Sequence, residues 1–181
     1  MFNIRKMQEQ TIINAIKAVS DNETADKIVF GECKNAVSEN NATWVSNMMK
    51  RLENHFPSHV VRQVRMDCQC GYGMDEKLQL VKELMSASSN LEEFGNLGKA
   101  KAAGLSYADN ELYLQFNFCP CPIVAEVDQF DSLTWCQCTT GYSKVLFEKA
   151  FGCEVSVELL KSIKVGDAFC LMKIRPEKSV W

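Results

Sequence analysis

Residues 112–121 read LYLQFNFCPC, and their alternation decides the fold. Leu112, Leu114, Phe116 and Phe118 point one way while Tyr113, Gln115 and Asn117 point the other, the period of two expected of a half-buried strand. The preceding Ala108-Asp109-Asn110 reads as a turn. The strand ends on Cys119 and Cys121, so the most regular stretch of the chain delivers a pair of thiols.

Toward the C-terminus, Pro122 suits a first helical position, and PIVAEVDQFDSL reads as a short helix leading to Cys136 and Cys138 in TWCQC. Thr139 or Thr140 is placed to cap a helix through Phe151, with Gly152 as its stop. CEVSVEL then alternates as a strand, KVGD turns the chain, and AFCLMKI returns as a second strand.

Toward the N-terminus the period is helical. Ile12, Ile13, Ile16 and Val19 form one stripe, Asp21-Asn22 breaks it, and a second helix begins near Glu23. Asn41 is placed to cap a third, with Trp44, Val45, Met48, Met49, Leu52 and Phe56 on one face and Pro57 closing it. HVVRQVRM reads as a short strand, DCQCGYG as an irregular turn, and Met74–Met85 as a helix. SSNLEEFGNLGKAKAAG reads as one helix from a cap at Asn90 to Gly104, with Glu92 and Glu93 biasing its first turn.

Helices first and strands last predict an α+β domain, with N-terminal helices packed on one face of a C-terminal antiparallel sheet. A chain of 181 residues, 46% hydrophobic, has the size of one domain, mainly helical over 1–66 and Cys-rich over 67–181. A net charge of -3 without a basic run argues against nucleic acid and against an anionic membrane as partner. No apolar run approaches the roughly 20 residues of a membrane span, and the start MFNIRKMQEQ has no signal-peptide core, so a cytoplasmic location is expected.

In that compartment thiols stay reduced, and clustered thiols bind metal or do chemistry more often than they form bridges. The nine cysteines make three Cys-x-Cys pairs, Cys68/Cys70, Cys119/Cys121 and Cys136/Cys138. Chance placement gives about 0.4 such pairs. Pro120 and Pro122 stiffen the second pair, and Gly71 and Gly73 free the backbone after the first. The six thiols are therefore the expected ligands of zinc, which needs sulfurs somewhat under about 4 Å apart, or of an iron-sulfur cluster. Neither the Cys-x2-Cys of zinc knuckles nor a ferredoxin spacing is present. Cys33, Cys153 and Cys170 read as small buried hydrophobes.

Other candidates are weaker. His55 and His59 have the i, i+4 spacing of a metal pair, but Pro57 breaks the face between them. Asp67, beside Cys68, and Glu158, on a predicted strand, are the candidate general bases or oxygen ligands. No nucleophile elbow, phosphate loop or dinucleotide fingerprint occurs.

Residues 140–174, TGYSKVLFEKAFGCEVSVELLKSIKVGDAFCLMKI, resemble the 4-vinyl reductase small-molecule-binding domain through Gly141-Tyr142-Ser143, Phe151-Gly152, Glu158, Gly166-Asp167 and Cys170. That family often carries a cysteine eight residues before the last one and uses it in a zinc site; here the position is Ser162. SIKVGDAFCLMKI is also similar to the end of the L-2-amino-thiazoline-4-carboxylate hydrolase family. The first resemblance implies a small-molecule sensor or carrier with a structural metal, the second ring-opening hydrolysis of a small sulfur heterocycle.

The sequence thus predicts a small-molecule-binding protein with a thiolate zinc or iron-sulfur site, a homodimer being compatible with it. A hydrolase using Asp67 or Glu158, and a thiol redox protein, are the alternatives.

Overall fold

The computed structural model describes residues 3–32, 39–69, 71 and 73–181. Cys33 and Cys70 lie outside the described residues.

Four helices come first. Asn3 caps α1 (Ile4–Lys17), Asp21 caps α2 (Asn22–Phe30) and Asn40 caps α3 (Asn41–His55), each side chain accepting from a backbone N–H three residues on. The cap of α3 is thus one residue earlier than expected. Its predicted face is the buried one, with Trp44, Val45, Met48 and Leu52 at most 1% exposed. Val19 falls beyond α1 and is exposed.

The predicted strand HVVRQVRM is instead α4 (Ser58–Asp67). Pro57 supplies the extended N-cap, and Val61, Val64 and Arg65 recur at helical spacing to pack inward. Adjacent valines suggest a strand, but here the pattern of burial has the helical period.

The helix α5 (Met74–Ser86) matches its expectation. The next expected helix is two, α6 (Leu91–Asn96) and α7 (Gly98–Ala102), because Leu97 turns extended at ψ 140 between them. Asn90 caps α6 as expected.

Strands β1 (Leu105–Ala108), β2 (Glu111–Phe116), β3 (Val155–Lys161) and β4 (Cys170–Pro176) form an antiparallel sheet in the order β1-β2-β4-β3. The sequence reading missed β1, whose four residues are too few to show a period. It is held by a two-residue turn in which Asp109 and Asn110 both adopt positive φ, the conformation that matches strand twist.

The long helix between β2 and β3 in the chain is α8 (Gln137–Phe151), with Cys136 as N-cap and Gly152, left-handed at φ 68, as C-cap. It starts two to three residues before the threonines expected to cap it. The expected helix after Pro122 is only a 3-10 turn over Pro122–Val124.

Helices cover one sheet face, and the architecture is α+β. Leu112, Leu114, Val155, Val157, Met172 and Ile174 face α8, Phe94 and Leu84 in one core, while α1 to α4 form a second core with Ile123, Val124 and Trp135. Cys136 packs against both. Among the described residues no helix is long and apolar enough to cross a membrane.

Candidate metal centre

The sheet register brings the cysteines together. Phe116 at the end of β2 pairs with Cys170 at the start of β4, and Leu171 pairs with Lys161 at the end of β3. Thus β2 runs out into Cys119 and Cys121, β3 into Ser162, and β4 begins with Cys170 at one end of the sheet. The N-terminus of α8, with Cys136 and Cys138, meets that end.

The result is a cavity of ≈ 20 Å³ lined by Cys119, Cys121, Cys136, Cys138 and Cys170 together with Ser162. Trp135, Val124, Leu159 and Met172 supply apolar wall. Pro122 acts as expected, holding Cys121 extended at φ -89 and ψ 105.

Two of the three expected pairs therefore share one site. Cys68, the C-cap of α4, is 0% exposed and lies within electrostatic reach of Cys138, but donates its S–H to the Val64 carbonyl at 2.9 Å. Cys170, expected as a small buried hydrophobe, lines the cavity as well. The register of β4 against β2, which no sequence pattern announces, is what brings it there.

The remaining candidates stand elsewhere. Asp67 is exposed at the end of α4 and accepts from Gln63. Glu158 points to the open sheet face, where Lys173 pairs with it at 3.0 Å. His55 packs edge-on against Phe56.

Burial governs the thiols. It pushes Cys121 up to about 11, with the neighbouring Cys138 adding to the rise, and Cys136 up to about 12, against a hydrogen-bonding contribution from the Ser162 hydroxyl. Cys68 is likewise raised to about 11, and Cys119 is raised, both chiefly by desolvation. Such thiols are neutral near pH 7 and poor nucleophiles. All seven described cysteines are free.

Sulfur donors facing a space of one ion or one water suit a soft metal ion better than an organic ligand. Among the described residues no three Cys, His, Asp or Glu side chains are already gathered as a metal-ligand group. Coordination would draw the sulfurs inward, by rotation about χ1 between staggered wells.

The chain matches the model of a family of unknown function, DUF6144, over residues 1–181, and belongs to that family. No curated protein matches it.

Proposed function

We propose that this DUF6144 chain is a metal-binding protein that holds one thiophilic ion, zinc being the type, between Cys119, Cys121, Cys136 and Cys138. The observation that carries the reading is the convergence of five sulfurs on one ≈ 20 Å³ cavity. That volume also favours a single ion over a four-iron cluster, whose eight iron and sulfide atoms exceed a space of about one water.

The ion would sit between a proline-stiffened loop and a helix N-terminus, tying the sheet end to the helical core. Four-coordinate, thiolate-only sites of this kind are closed and structural in character. A cytoplasmic location, where thiols stay reduced, fits this reading.

Heterocycle hydrolysis at this site has less support, since Asp67 and Glu158 both lie outside it and organic ligands occupy roughly 300–1,000 Å³. A small-molecule ligand would find that volume in a groove of ≈ 470 Å³ between Asn90, Glu111, Arg175 and Trp181. Thiol redox exchange is disfavoured by the raised thiols, which keep the attacking thiolate scarce.

The test is metal analysis of reduced, anaerobically purified protein, followed by cobalt(II) titration. About one equivalent of zinc, and sulfur-to-cobalt charge transfer that weakens in Cys119→Ala/Cys121→Ala and in Cys136→Ala/Cys138→Ala, is expected. Less than about half an equivalent, with no spectrum on adding cobalt, would sink the reading.

A further inference from the structure

Among the described residues the buried charged side chains are Arg65, 0% exposed, and Lys164, 9% exposed, and both are cations. Neither is ion-paired with a carboxylate among the described residues. Burying an ion without a counter-ion is costly even after the protein relaxes.

Each makes only part of its hydrogen bonds. Arg65 donates from Nη2 to the Trp135 carbonyl at 2.9 Å, lays its guanidinium 4.0 Å from the centre of the Trp135 ring and hydrogen-bonds Cys68, while Nε and Nη1 make no close hydrogen bond to nitrogen or oxygen. Lys164 donates from Nζ to the Val127 carbonyl at 2.6 Å. Gln137 Oε1 and Thr140 Oγ1 are also buried without a partner, on the segment that carries Cys136 and Cys138, whereas the Trp135 side chain hydrogen-bonds Cys121. Buried polar atoms are nearly always satisfied, and the guanidinium nitrogens of Arg65 call for an acceptor or an anion.

The two cations flank the thiols. Arg65 acts on Cys68, which neighbours Cys138. Lys164 acts on Cys119, and its backbone N–H donates to the Ser162 hydroxyl, itself 3.2 Å from the Cys136 sulfur.

We propose that Arg65 and Lys164 are the counter-cations of a doubly anionic four-thiolate centre, and so suit the cavity to a divalent ion. The inference rests on the metal-site reading above. One divalent ion and four neutral thiols become a doubly anionic complex and four released protons, and two fixed positive charges neutralise that complex inside a low-dielectric core. Four neutral thiols give these two charges no anion, so formation of the thiolate complex relieves a cost built into the fold.

The experiment measures zinc affinity, by competition with a chromophoric chelator, and metal-free melting temperature for wild type, Arg65→Met, Arg65→Lys and Lys164→Met. The methionine variants should bind zinc about 10- to 100-fold more weakly, the range for groups just outside the ligands. Metal-free Arg65→Met should melt at or above wild type, and Arg65→Lys should recover most of the affinity. Methionine variants that bind zinc as tightly as wild type, or that fail to fold, would overturn the charge role in favour of packing; so would an Arg65→Lys chain as weak as Arg65→Met. A wild-type chain that takes neither zinc nor cobalt removes the metal site itself, and this inference with it.

Discussion

The Ser162 hydroxyl stands 3.2 Å from the Cys136 sulfur and 4.0 Å from the Cys170 sulfur, so a single oxygen joins the N-cap of α8 to the first residue of β4. Ser162→Cys would place a further sulfur on the cavity wall, and zinc should bind tighter by on the order of tenfold, the lower range of changes around a metal site. The hydroxyl also accepts from the Lys164 N–H at 3.1 Å, capping the 3-10 turn Ile163–Val165, so the metal-free variant should lose about 1 kcal/mol with that cap. Chelator competition and denaturant melts read the two effects separately; unchanged affinity would place position 162 outside the metal's reach.

Metal-free stability should fall on the alkaline side. Folding raises Cys68 and Cys121 to about 11 and Cys136 to about 12, chiefly by burial, so the folded chain favours the neutral thiol. A raised value means the stability is fully present below the unfolded thiol value near about 8.5 and is lost as pH rises toward the folded values. Each thiol should add roughly 1.4 kcal/mol of loss per pH unit in that window. Urea melts of reduced, metal-free protein between pH 8 and pH 10.5 check this, and a flat profile would mean that the thiols are solvated.

Gly141 sits inside α8, not at its start, and the reason is the approach of α4. A Cβ built there would lie 1.9 Å from the Met66 carbonyl oxygen and 2.6 Å from its carbon, both backbone atoms. Gly141→Ala must push α4 and α8 apart, at a cost of about 1–3 kcal/mol or more. Because Arg65 and Cys68 ride on α4 and Cys136 and Cys138 on α8, zinc affinity should fall with stability. Gly98→Ala, with nothing within 4 Å of the new Cβ, is the control and should be neutral or slightly stabilising by thermal melt.

Legibility followed periodicity. The strand through Leu112 and Leu114, the strands around Val157 and Met172, and the face of α3 were readable because burial repeats along each of them. Elements whose identity depends on distant partners were not: β1 exists because it pairs with β2, and α4 because Val61, Val64 and Arg65 find a core made by α1 and α8. The site was half legible. Cys-x-Cys excess marked Cys119, Cys121, Cys136 and Cys138, but Cys170 enters only through strand register, and Arg65 only through burial of a charge that no sequence pattern announces.

The raised thiols have an opposite consequence once a metal is offered. Cys119, Cys121 and Cys136 all hold their protons more tightly than free thiols, so across pH 6–8 each must give one up to become a ligand. Every proton released steepens the pH dependence of the apparent affinity by one decade per pH unit, and three or four ligands predict about three to four decades per unit. Zinc affinity should therefore climb steeply with pH over the range in which metal-free stability is still flat. Calorimetry in two buffers of different ionisation enthalpy counts the protons directly. A count below about two would exclude an all-thiolate centre, because carboxylate or neutral imidazole ligands bind near pH 7 with little proton release.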